Sequence, residues 1–274
     1  MASQTKSTFS FEPFARHQFY KDVNRKLVDR IGLKPGDHVV DLACGTGAVT
    51  RLIIERVGTK AGAHVIGIDL SEQSLREAQA ATPTLEGVVV DYRQGDVVGF
   101  ESVLDRPVDA ITIFNAIHMI KDKADVVAAA FRQLKPGGLF AFSSAFYSGA
   151  EPPEAEPFYR KWMMKALRAL RREGVSPSRD KVEARHRLTI EEYDRLLEDN
   201  GFQVENQEVV SVEMPPESFE DISRFGPFVE GTFPGVDVAK ASEALIVTVR
   251  STFEELGWKV SPRNWLLVVA RKTT

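Results

Sequence analysis

The chain has 274 residues, of which 43% are hydrophobic and 27% charged, and its formal net charge is −4. This composition is typical of a globular protein with one large domain or two small ones. The single cysteine, Cys44, excludes an internal disulfide framework and a zinc site built on a cysteine cluster. The net negative charge argues against a broad nucleic-acid surface. The longest uncharged stretch, residues 136–150, is shorter than the roughly 20 apolar residues of a membrane-spanning helix. We therefore expect a cytoplasmic protein without a nucleic-acid partner and without stable membrane insertion.

The first half of the chain alternates β-branched runs with amphipathic segments, which is the pattern of a parallel sheet joined by crossover helices. The pattern predicts strands over residues 38–42, 64–68, 88–92, 108–114 and 139–146. It predicts helices over residues 48–57, from a Ser71 cap to about Ala81, and over 124–134. The segment Lys135-Pro136-Gly137-Gly138 is expected to end the last of these helices before the fifth strand begins.

After the fifth strand the periodicity changes. Apolar residues recur at helical spacing from Pro157 to Gly174, which predicts an inserted amphipathic helix with a basic face. We interpret this face as solvated; attraction of an anionic substrate and peripheral contact with a lipid surface are the alternatives. Thr189-Ile190-Glu191-Glu192 has the spacing of a capping box and predicts a helix that ends before Gly201. The remaining pattern predicts a strand over 202–212, helical stretches over 219–228 and 238–256, and a last strand over 264–271.

One strand, turn and helix carry the chemistry. Residues 39–47 form an apolar strand that enters the turn Ala43-Cys44-Gly45-Thr46-Gly47, where free backbone N–H groups and missing side chains let a ligand approach closely. Asp69 ends the next strand, 22 positions after Gly47, where its carboxylate can accept hydrogen bonds from both hydroxyls of a ribose. Asp96, in Gly95-Asp96-Val97 after the third strand, can accept from an adenine amino group. Because these strand ends meet at one edge of a parallel sheet, they predict a nucleoside site.

The identity of the nucleoside depends on Thr50. A dinucleotide fingerprint has a third glycine at this position, three residues after Gly47, where the helix packs closely on the strand. Threonine there disfavours NAD or FAD, and an NAD-type oxidoreductase on the same sheet stays an alternative.

Taken together, Asp41-x-x-x-Gly45-x-Gly47, Asp69, Gly95-Asp96 and Leu134-Lys135-Pro136-Gly137-Gly138 resemble class I S-adenosylmethionine-dependent methyltransferases. Within that family the chain is similar to the small-molecule branch of ubiquinone and menaquinone C-methyltransferases and of fatty-acid and terpenoid-acid O-methyltransferases. The resemblance implies an α/β fold: a doubly wound, seven-stranded, mostly parallel sheet, its last strand antiparallel beside the fifth, with helical lid insertions. It also implies the cofactor S-adenosyl-L-methionine, with S-adenosyl-L-homocysteine as product.

The same resemblance implies which residues bind the cofactor. Ala43, Gly45 and Gly47 are expected to face its methionine part, Asp69 its ribose, and Asp96 with Val97 its adenine. Asn115 begins the loop after the fourth strand. The aromatic N-terminal stretch from Phe9 to Tyr20 is expected to fold over the cofactor, and plain packing of its side chains is the alternative. The full set of expected cofactor residues is Tyr20, Ala43, Cys44, Gly45, Thr46, Gly47, Asp69, Leu70, Gly95, Asp96, Val97 and Asn115.

His118 lies just after the fourth strand, where the resemblance places the methyl donor's sulfonium. An imidazole with a pKa of about 6.5 can act there as a general base or orient an acceptor. The alternative is a loop histidine that only packs near the cofactor. The residues expected to contact the acceptor are His118, Phe146, Tyr159, Trp162, Met163 and Phe225.

The resemblance, together with the apolar residues of the insertions, implies methyl transfer without a metal to a lipophilic small molecule. The acceptor atom is expected to be a carboxylate oxygen, or the carbon or oxygen of a quinone-like or prenyl-like molecule. A non-catalytic S-adenosylmethionine-binding subunit is a further alternative. We expect one domain over residues 1–274 in a monomer or homodimer. Its core is predicted over 32–147, 188–211 and 264–271, and its lid over 1–31, 148–187 and 212–263.

Overall fold

The computed structural model describes residues 10–58, 62–178 and 187–273. Within these residues the chain divides into two compact units. The sheet unit contains the described residues of the ranges 22–148, 187–210 and 265–274, and the helical unit contains those of 1–21, 149–186 and 211–264. The division lies close to the predicted boundaries of core and lid, except that residues 22–31 belong to the sheet unit. The prediction of one domain stays a prediction.

In the described part of the chain, one sheet contains seven strands: β1 His38–Leu42, β2 Ala63–Asp69, β3 Val88–Gln94, β4 Val108–Phe114, β5 Leu134–Ser144, β6 Phe202–Met214 and β7 Ser261–Lys272. Their order is β3-β2-β1-β4-β5-β7-β6. β1 pairs in parallel with β2 and β4, β2 with β3, and β4 with β5, whereas β7 runs antiparallel to β5. The predicted doubly wound, mostly parallel sheet is confirmed, including the antiparallel last strand beside the fifth.

The helices are α1 Glu12–Ala15, α2 Gln18–Ile31, α3 Ala48–Val57, α4 Glu72–Ala81, α5 Lys123–Gln133, α6 Glu156–Arg172, α7 Ile190–Asp199, α8 Pro216–Ile222, α9 Gly226–Thr232 and α10 Val238–Leu256. The predicted caps are present. Ser71 Oγ accepts a hydrogen bond from the Ser74 N–H, 3.2 Å away, at the start of α4. At the start of α7, Thr189 and Glu192 form the reciprocal capping box. Among the described residues, no helix has the length and apolarity needed to cross a membrane.

Several boundaries differ from the predictions, and two of these differences change how the elements are divided. β5 begins at Leu134, which pairs with Val108, and the register then shifts so that Leu139 pairs with Ala110. The expected break at residues 135–138 is therefore an irregularity inside the strand. The stretch predicted as helical over 219–228 contains two helices, α8 and α9, because α9 starts anew with a proline in its first turn, a position that suits proline.

The helical unit has an aromatic core of its own. Phe158 of α6 lies with its ring centroid 4.7 Å from that of Phe219 and 4.5 Å from that of Phe253. Trp162 packs on the same rings, and its indole N–H donates to the Leu245 carbonyl, 3.0 Å away. This packing joins α6 to α8 and α10. Phe9, from the aromatic N-terminal stretch, lies outside the described residues.

Candidate cofactor and active site

The turn between β1 and α3 has an unusual backbone. Gly45 and Gly47 have φ of 53° and 73°, which favours glycine, and Ala43 has φ of 55°. A Cβ atom added at Gly45 would have no heavy atom within 4 Å, whereas one at Gly47 would lie 2.7 Å from the Tyr92 hydroxyl. Gly45 therefore borders open space, and Gly47 packs closely against the sheet. This geometry is what the prediction of a ligand beside the glycine turn requires.

Asp69, the last residue of β2, holds this turn. Its Oδ2 accepts a hydrogen bond from the Gly45 N–H at 2.8 Å, and its Oδ1 accepts from the Ser71 N–H at 2.9 Å. Each carboxylate oxygen has a second lone pair, so both remain able to accept from a ligand hydroxyl. The next residue, Leu70, is 64% exposed and presents apolar surface at the same strand end.

The end of β3 is tied to the end of β2. The Gly95 N–H donates to the Asp69 carbonyl at 3.1 Å, which brings Asp96 and Val97 to the strand edge that holds Asp69. Asp96 is exposed, and its Oδ1 accepts from the Val98 N–H at 2.9 Å. The structure thus gathers the residues predicted for ribose and adenine at one edge of the sheet. Their contact with a cofactor stays a prediction.

The end of β4 is fixed to the end of β5 through Asn115. Its N–H donates to the Ser143 carbonyl at 2.9 Å, and its Oδ1 accepts from the Ala145 N–H at 2.9 Å. Asn115 has φ of 50°, and in the described part of the chain Ala43 and Asn115 are the non-glycine residues with positive φ. They follow the adjacent strands β1 and β4. Such strained residues cost about 1–3 kcal/mol each and cluster at functional sites, which supports this edge as the candidate site.

His118 lies three residues after Asn115, in a short 3-10 turn over Ile117–Met119. Its Nδ1 is 3.3 Å from the Ser144 hydroxyl oxygen, and its ring centroid is 4.5 Å from that of Phe146. The structure therefore brings together the two residues of the sheet unit, His118 and Phe146, that the sequence predicts for the acceptor. A catalytic role of His118 stays a prediction.

Asp41 is a buried charged residue that the predicted set of site residues omits. Its Oδ2 accepts from the Thr50 hydroxyl at 2.7 Å and its Oδ1 from the Thr112 hydroxyl at 2.9 Å. The pKa of Asp41 is raised to about 6, chiefly by burial and to a smaller extent by the nearby charge of Asp69, while the hydrogen bonds from the two hydroxyls act to lower it. Thr50 thus has a polar task where a dinucleotide fingerprint has glycine. The signal available in the sequence was a carboxylate inside an apolar strand.

Cys44 and Thr46 complete the turn. Burial, with the charges of Asp41 and Asp69, raises the pKa of the Cys44 thiol, so the thiol stays protonated near neutral pH and packs against the chain. The Thr46 carbonyl accepts a hydrogen bond from Arg51 Nη1 at 2.9 Å, which anchors the turn to α3.

The other residues predicted to bind a ligand belong to the helical unit. Tyr20 is buried, and its ring centroid lies 5.4 Å from that of Phe11. Phe225 also contacts Phe11, at 5.1 Å between centroids. The Tyr159 hydroxyl accepts a hydrogen bond from Arg263 Nη1 at 2.8 Å.

The two remaining residues of this group lie on α6. Trp162 is 1% exposed, and its indole N–H is satisfied, so packing of the helical unit accounts for what the structure shows of it. Met163 is half-buried. The approach of the helical-unit residues to a cofactor or acceptor stays a prediction.

Comparison with known proteins agrees with this geometry. Residues 39–138 match the family described as "Methyltransferase domain". Residues 39–138, about a third of the chain, are therefore assigned to a methyltransferase domain. The resemblance to class I methyltransferases is thereby confirmed. This methyltransferase domain contains the glycine turn, Asp69, Gly95-Asp96-Val97, Asn115 and His118.

Curated relatives and a solved structure extend the comparison. A ubiquinone biosynthesis O-methyltransferase of Pseudomonas fluorescens is 35% identical over 117 residues, which are 42% of this chain and 47% of that protein. A demethylmenaquinone methyltransferase of Symbiobacterium thermophilum is 32% identical over 120 residues, 43% of this chain and 46% of that protein. The chain thus spans about half the length of the curated relatives it matches.

The fold of the methyltransferase domain is shared with a phosphoethanolamine N-methyltransferase of Haemonchus contortus, solved in complex with phosphomonomethylethanolamine and S-adenosylhomocysteine. The TM-score is 0.56 at 18% identity, over 97% of this chain and 57% of that one. At this identity the likeness establishes the fold.

Proposed function

We propose that the protein transfers a methyl group from S-adenosylmethionine to a lipophilic small-molecule acceptor. The observation that carries the proposal is the hydrogen bond between the glycine turn and the Asp69 carboxylate. The Gly45 N–H donates to Asp69 Oδ2 at 2.8 Å, while the Cβ side of Gly45 is open over at least 4 Å. A nucleoside that approaches this backbone meets an ordered carboxylate beside it.

The residues present fit this cofactor. The open side of Gly45 leaves space for a ligand group, and a side chain at this position would occupy that space. The Asp69 carboxylate can accept hydrogen bonds from ribose hydroxyls. Leu70 and Val97 offer apolar surface for a base. When bound, S-adenosylmethionine supplies a methyl group on a positively charged sulfur. Asp41, with its pKa raised to about 6, is largely ionised at neutral pH, and its negative charge beneath the turn favours a cationic ligand.

The class of acceptor is supported by the relatives, whose names place two of them in quinone biosynthesis. A quinol or another phenol must lose a proton on methylation, and His118 is the residue proposed to accept it. A carboxylate acceptor is already ionised at neutral pH and needs no base. The chain's main contribution is then to hold the acceptor in line in a site that excludes water.

The test is titration calorimetry with S-adenosylhomocysteine, followed by assays with a panel of medium-chain acids, terpenoid acids and quinols. We expect the wild type to bind S-adenosylhomocysteine and not NAD(H). Asp69→Ala should weaken this binding by about 10-fold to 100-fold, since a hydrogen bond to a charged group contributes about 1.5–3 kcal/mol. Asp105→Ala, which removes an exposed aspartate, is the matched control and should bind like the wild type.

Two outcomes separate the alternatives. Binding of NAD(H) without binding of S-adenosylhomocysteine selects an oxidoreductase. Binding of S-adenosylhomocysteine without methyl transfer to any member of the panel selects a non-catalytic subunit. Methylation of short polar amines alone contradicts the lipophilic acceptor.

A further inference from the structure

A buried hydroxyl lies beside the one histidine of the candidate site. Ser144 is the last residue of β5, and none of its surface is exposed. Its Oγ lies 3.3 Å from His118 Nδ1. A fully buried serine at a strand end, in contact with a half-buried imidazole, is in a position to decide which of the two ring nitrogens carries the proton.

Another contact of Ser144 leaves its oxygen able to accept a hydrogen bond from an Nδ1–H. Its Oγ accepts from the Phe146 N–H at 3.1 Å. A hydroxyl oxygen has two acceptor lone pairs, so one remains for an Nδ1–H donor. The opposite nitrogen, Nε2, is on the far side of the ring from Ser144. With the proton on Nδ1, Nε2 keeps its lone pair and is the basic nitrogen.

The same hydroxyl also orients the ring. The bond from Phe146 to Ser144 Oγ fixes the chain just after β5, and the Phe146 ring packs against His118 with 4.5 Å between centroids and 33° between planes. Asn115 holds the start of the loop after β4 to the same segment through its bond from the Ala145 N–H. Residues at the end of β5 therefore hold His118 at Nδ1 and along a ring face.

We propose that Ser144 is a positioning residue that keeps the proton of neutral His118 on Nδ1, so that Nε2 accepts a proton from the hydroxyl of a phenolic acceptor. This inference rests on the proposed function. The acceptor's O–H bond breaks, its electron pair stays on the oxygen, and the proton forms a bond with Nε2. The resulting imidazolium keeps its Nδ1–H bond to Ser144, and it later releases the Nε2 proton to solvent.

The first test reads the tautomer directly and needs no activity. Long-range ¹H–¹⁵N correlation spectra of the full chain at about pH 8, above the ordinary histidine pKa, distinguish the Nδ1–H form from the Nε2–H form. We expect the Nδ1–H form for His118 in the wild type and a gain of the Nε2–H form in Ser144→Ala. The assignment of the signal comes from its loss in His118→Gln.

Ser143→Ala is the matched control for this spectrum. Ser143 is also fully buried and adjacent in sequence, but its hydroxyl accepts from the Asn115 N–H at 3.1 Å. We expect Ser143→Ala to leave the His118 tautomer unchanged, and we expect Ser144→Thr, which keeps the hydroxyl, to retain the Nδ1–H form. A wild-type spectrum dominated by the Nε2–H form overturns the proposal, as does an unchanged tautomer in folded Ser144→Ala. If Ser144→Ala does not fold, the wild-type and Ser144→Thr spectra decide.

The second test is kinetic. With a quinol from the panel, Ser144→Ala should lower kcat on the order of 10-fold with little change in KM, a part of the 10²-fold or more that general base catalysis supplies. Methylation of carboxylic acids but no quinol overturns the proton-accepting role of His118. Failure of the wild type to bind S-adenosylhomocysteine contradicts the proposed function itself, and the tautomer measurement distinguishes the two failures.

Discussion

At the scale of single residues, the two glycines of the β1–α3 turn have different tasks. Both have a positive φ that costs about 1–2 kcal/mol for other residues. A Cβ atom added at Gly47 would lie 2.7 Å from the Tyr92 hydroxyl. That hydroxyl lies 2.7 Å from the hydroxyl of Thr82, the C-cap residue of α4. Gly45 faces no such neighbour. One glycine therefore serves the packing of the turn, and the other leaves room for a ligand.

This difference predicts that alanine at Gly47 affects mainly stability and alanine at Gly45 mainly ligand binding. Gly47→Ala should lose more unfolding free energy than Gly45→Ala, because the backbone strain and the overlap with Tyr92 add. Gly45→Ala should lose only about 1–2 kcal/mol from strain, yet weaken S-adenosylhomocysteine binding at least about 10-fold, because its methyl group occupies the open side. Urea denaturation and calorimetry measure the two effects. Undiminished binding by Gly45→Ala would contradict the site.

Asp41 predicts a pH dependence of stability. Its pKa is about 6 in the folded protein, because of burial, against an ordinary value near 4. Between these values the folded state holds a proton that the unfolded chain has released, so this residue's contribution to stability falls as pH rises from about 4 to about 6 and beyond is constant. The unfolding free energy of Asp41→Asn relative to the wild type should therefore be about 1 kcal/mol greater at pH 8 than at pH 5.

Urea denaturation at the two pH values measures this difference. Asp105→Asn, an exposed aspartate of the same unit, is the control and should show no such gain. An Asp41→Asn effect that is the same at both pH values would show that Asp41 ionises in the folded state as it does in the unfolded chain.

At the scale of elements, local side-chain bonds determine where helices begin. α7 starts at a capping box in which the Thr189 hydroxyl accepts from the Glu192 N–H at 3.2 Å and the Glu192 carboxylate accepts from the Thr189 N–H at 2.7 Å. One face of α7 buries Tyr193 and Leu197. Both features are encoded within ten residues, so the pattern in the sequence was sufficient to place this helix.

Removal of the cap should therefore destabilise the protein without affecting the site. We expect Thr189→Ala to lower the unfolding free energy by about 1 kcal/mol, because it leaves a helix N–H without its acceptor. Thr189→Ser, which keeps the hydroxyl, should lose much less. Thermal or urea denaturation measures both, and equal losses for the two variants would refute the role of the hydroxyl.

At the scale of the whole molecule, the sheet separates residues that stabilise the fold from those that are predicted to bind ligand. At the amino ends of the strands, the Asp109 carboxylate accepts from Lys135 Nζ at 2.7 Å and from the His38 N–H at 2.9 Å. Burial raises the pKa of Asp109, but the bonds from Lys135 and His38 outweigh it and lower the pKa. The glycine turn and Asp69 lie at the carboxyl ends, where parallel sheets bind ligands.

Lys135→Met should accordingly lower stability and leave binding unchanged. The pair is partly exposed, so we expect a loss of at most about 1 kcal/mol near neutral pH. Because the pKa of Asp109 is lowered on folding, its contribution is present above about pH 4 and disappears as pH falls through the folded value, so the loss should shrink in acid. S-adenosylhomocysteine affinity should equal that of the wild type. A weakened affinity would show that the two edges are coupled.

Much of this architecture could be predicted because it depends on neighbours in the chain. The strands β1 and β4 have the predicted ends, as do the Ser71 and Thr189 caps. The α8–α9 boundary and the irregular start of β5 were missed. In β5, register with β4 overrides the local preference of Lys135-Pro136-Gly137-Gly138, since pairing of Leu134 with Val108 is a contact between distant parts of the chain.

The sequence by itself determined the sheet, its crossover helices and the residues at its carboxyl edge, because strand and helix periodicity, caps and glycine turns act over a few residues. The tertiary structure decided the environment of those residues. Asp41 meets Thr112, 71 positions away, and His118 meets Ser144, 26 positions away. Such pairs leave no periodic pattern, because only the register of neighbouring strands brings them within hydrogen-bond distance. The pKa of Asp41 and the partner of His118 therefore became visible in the fold alone.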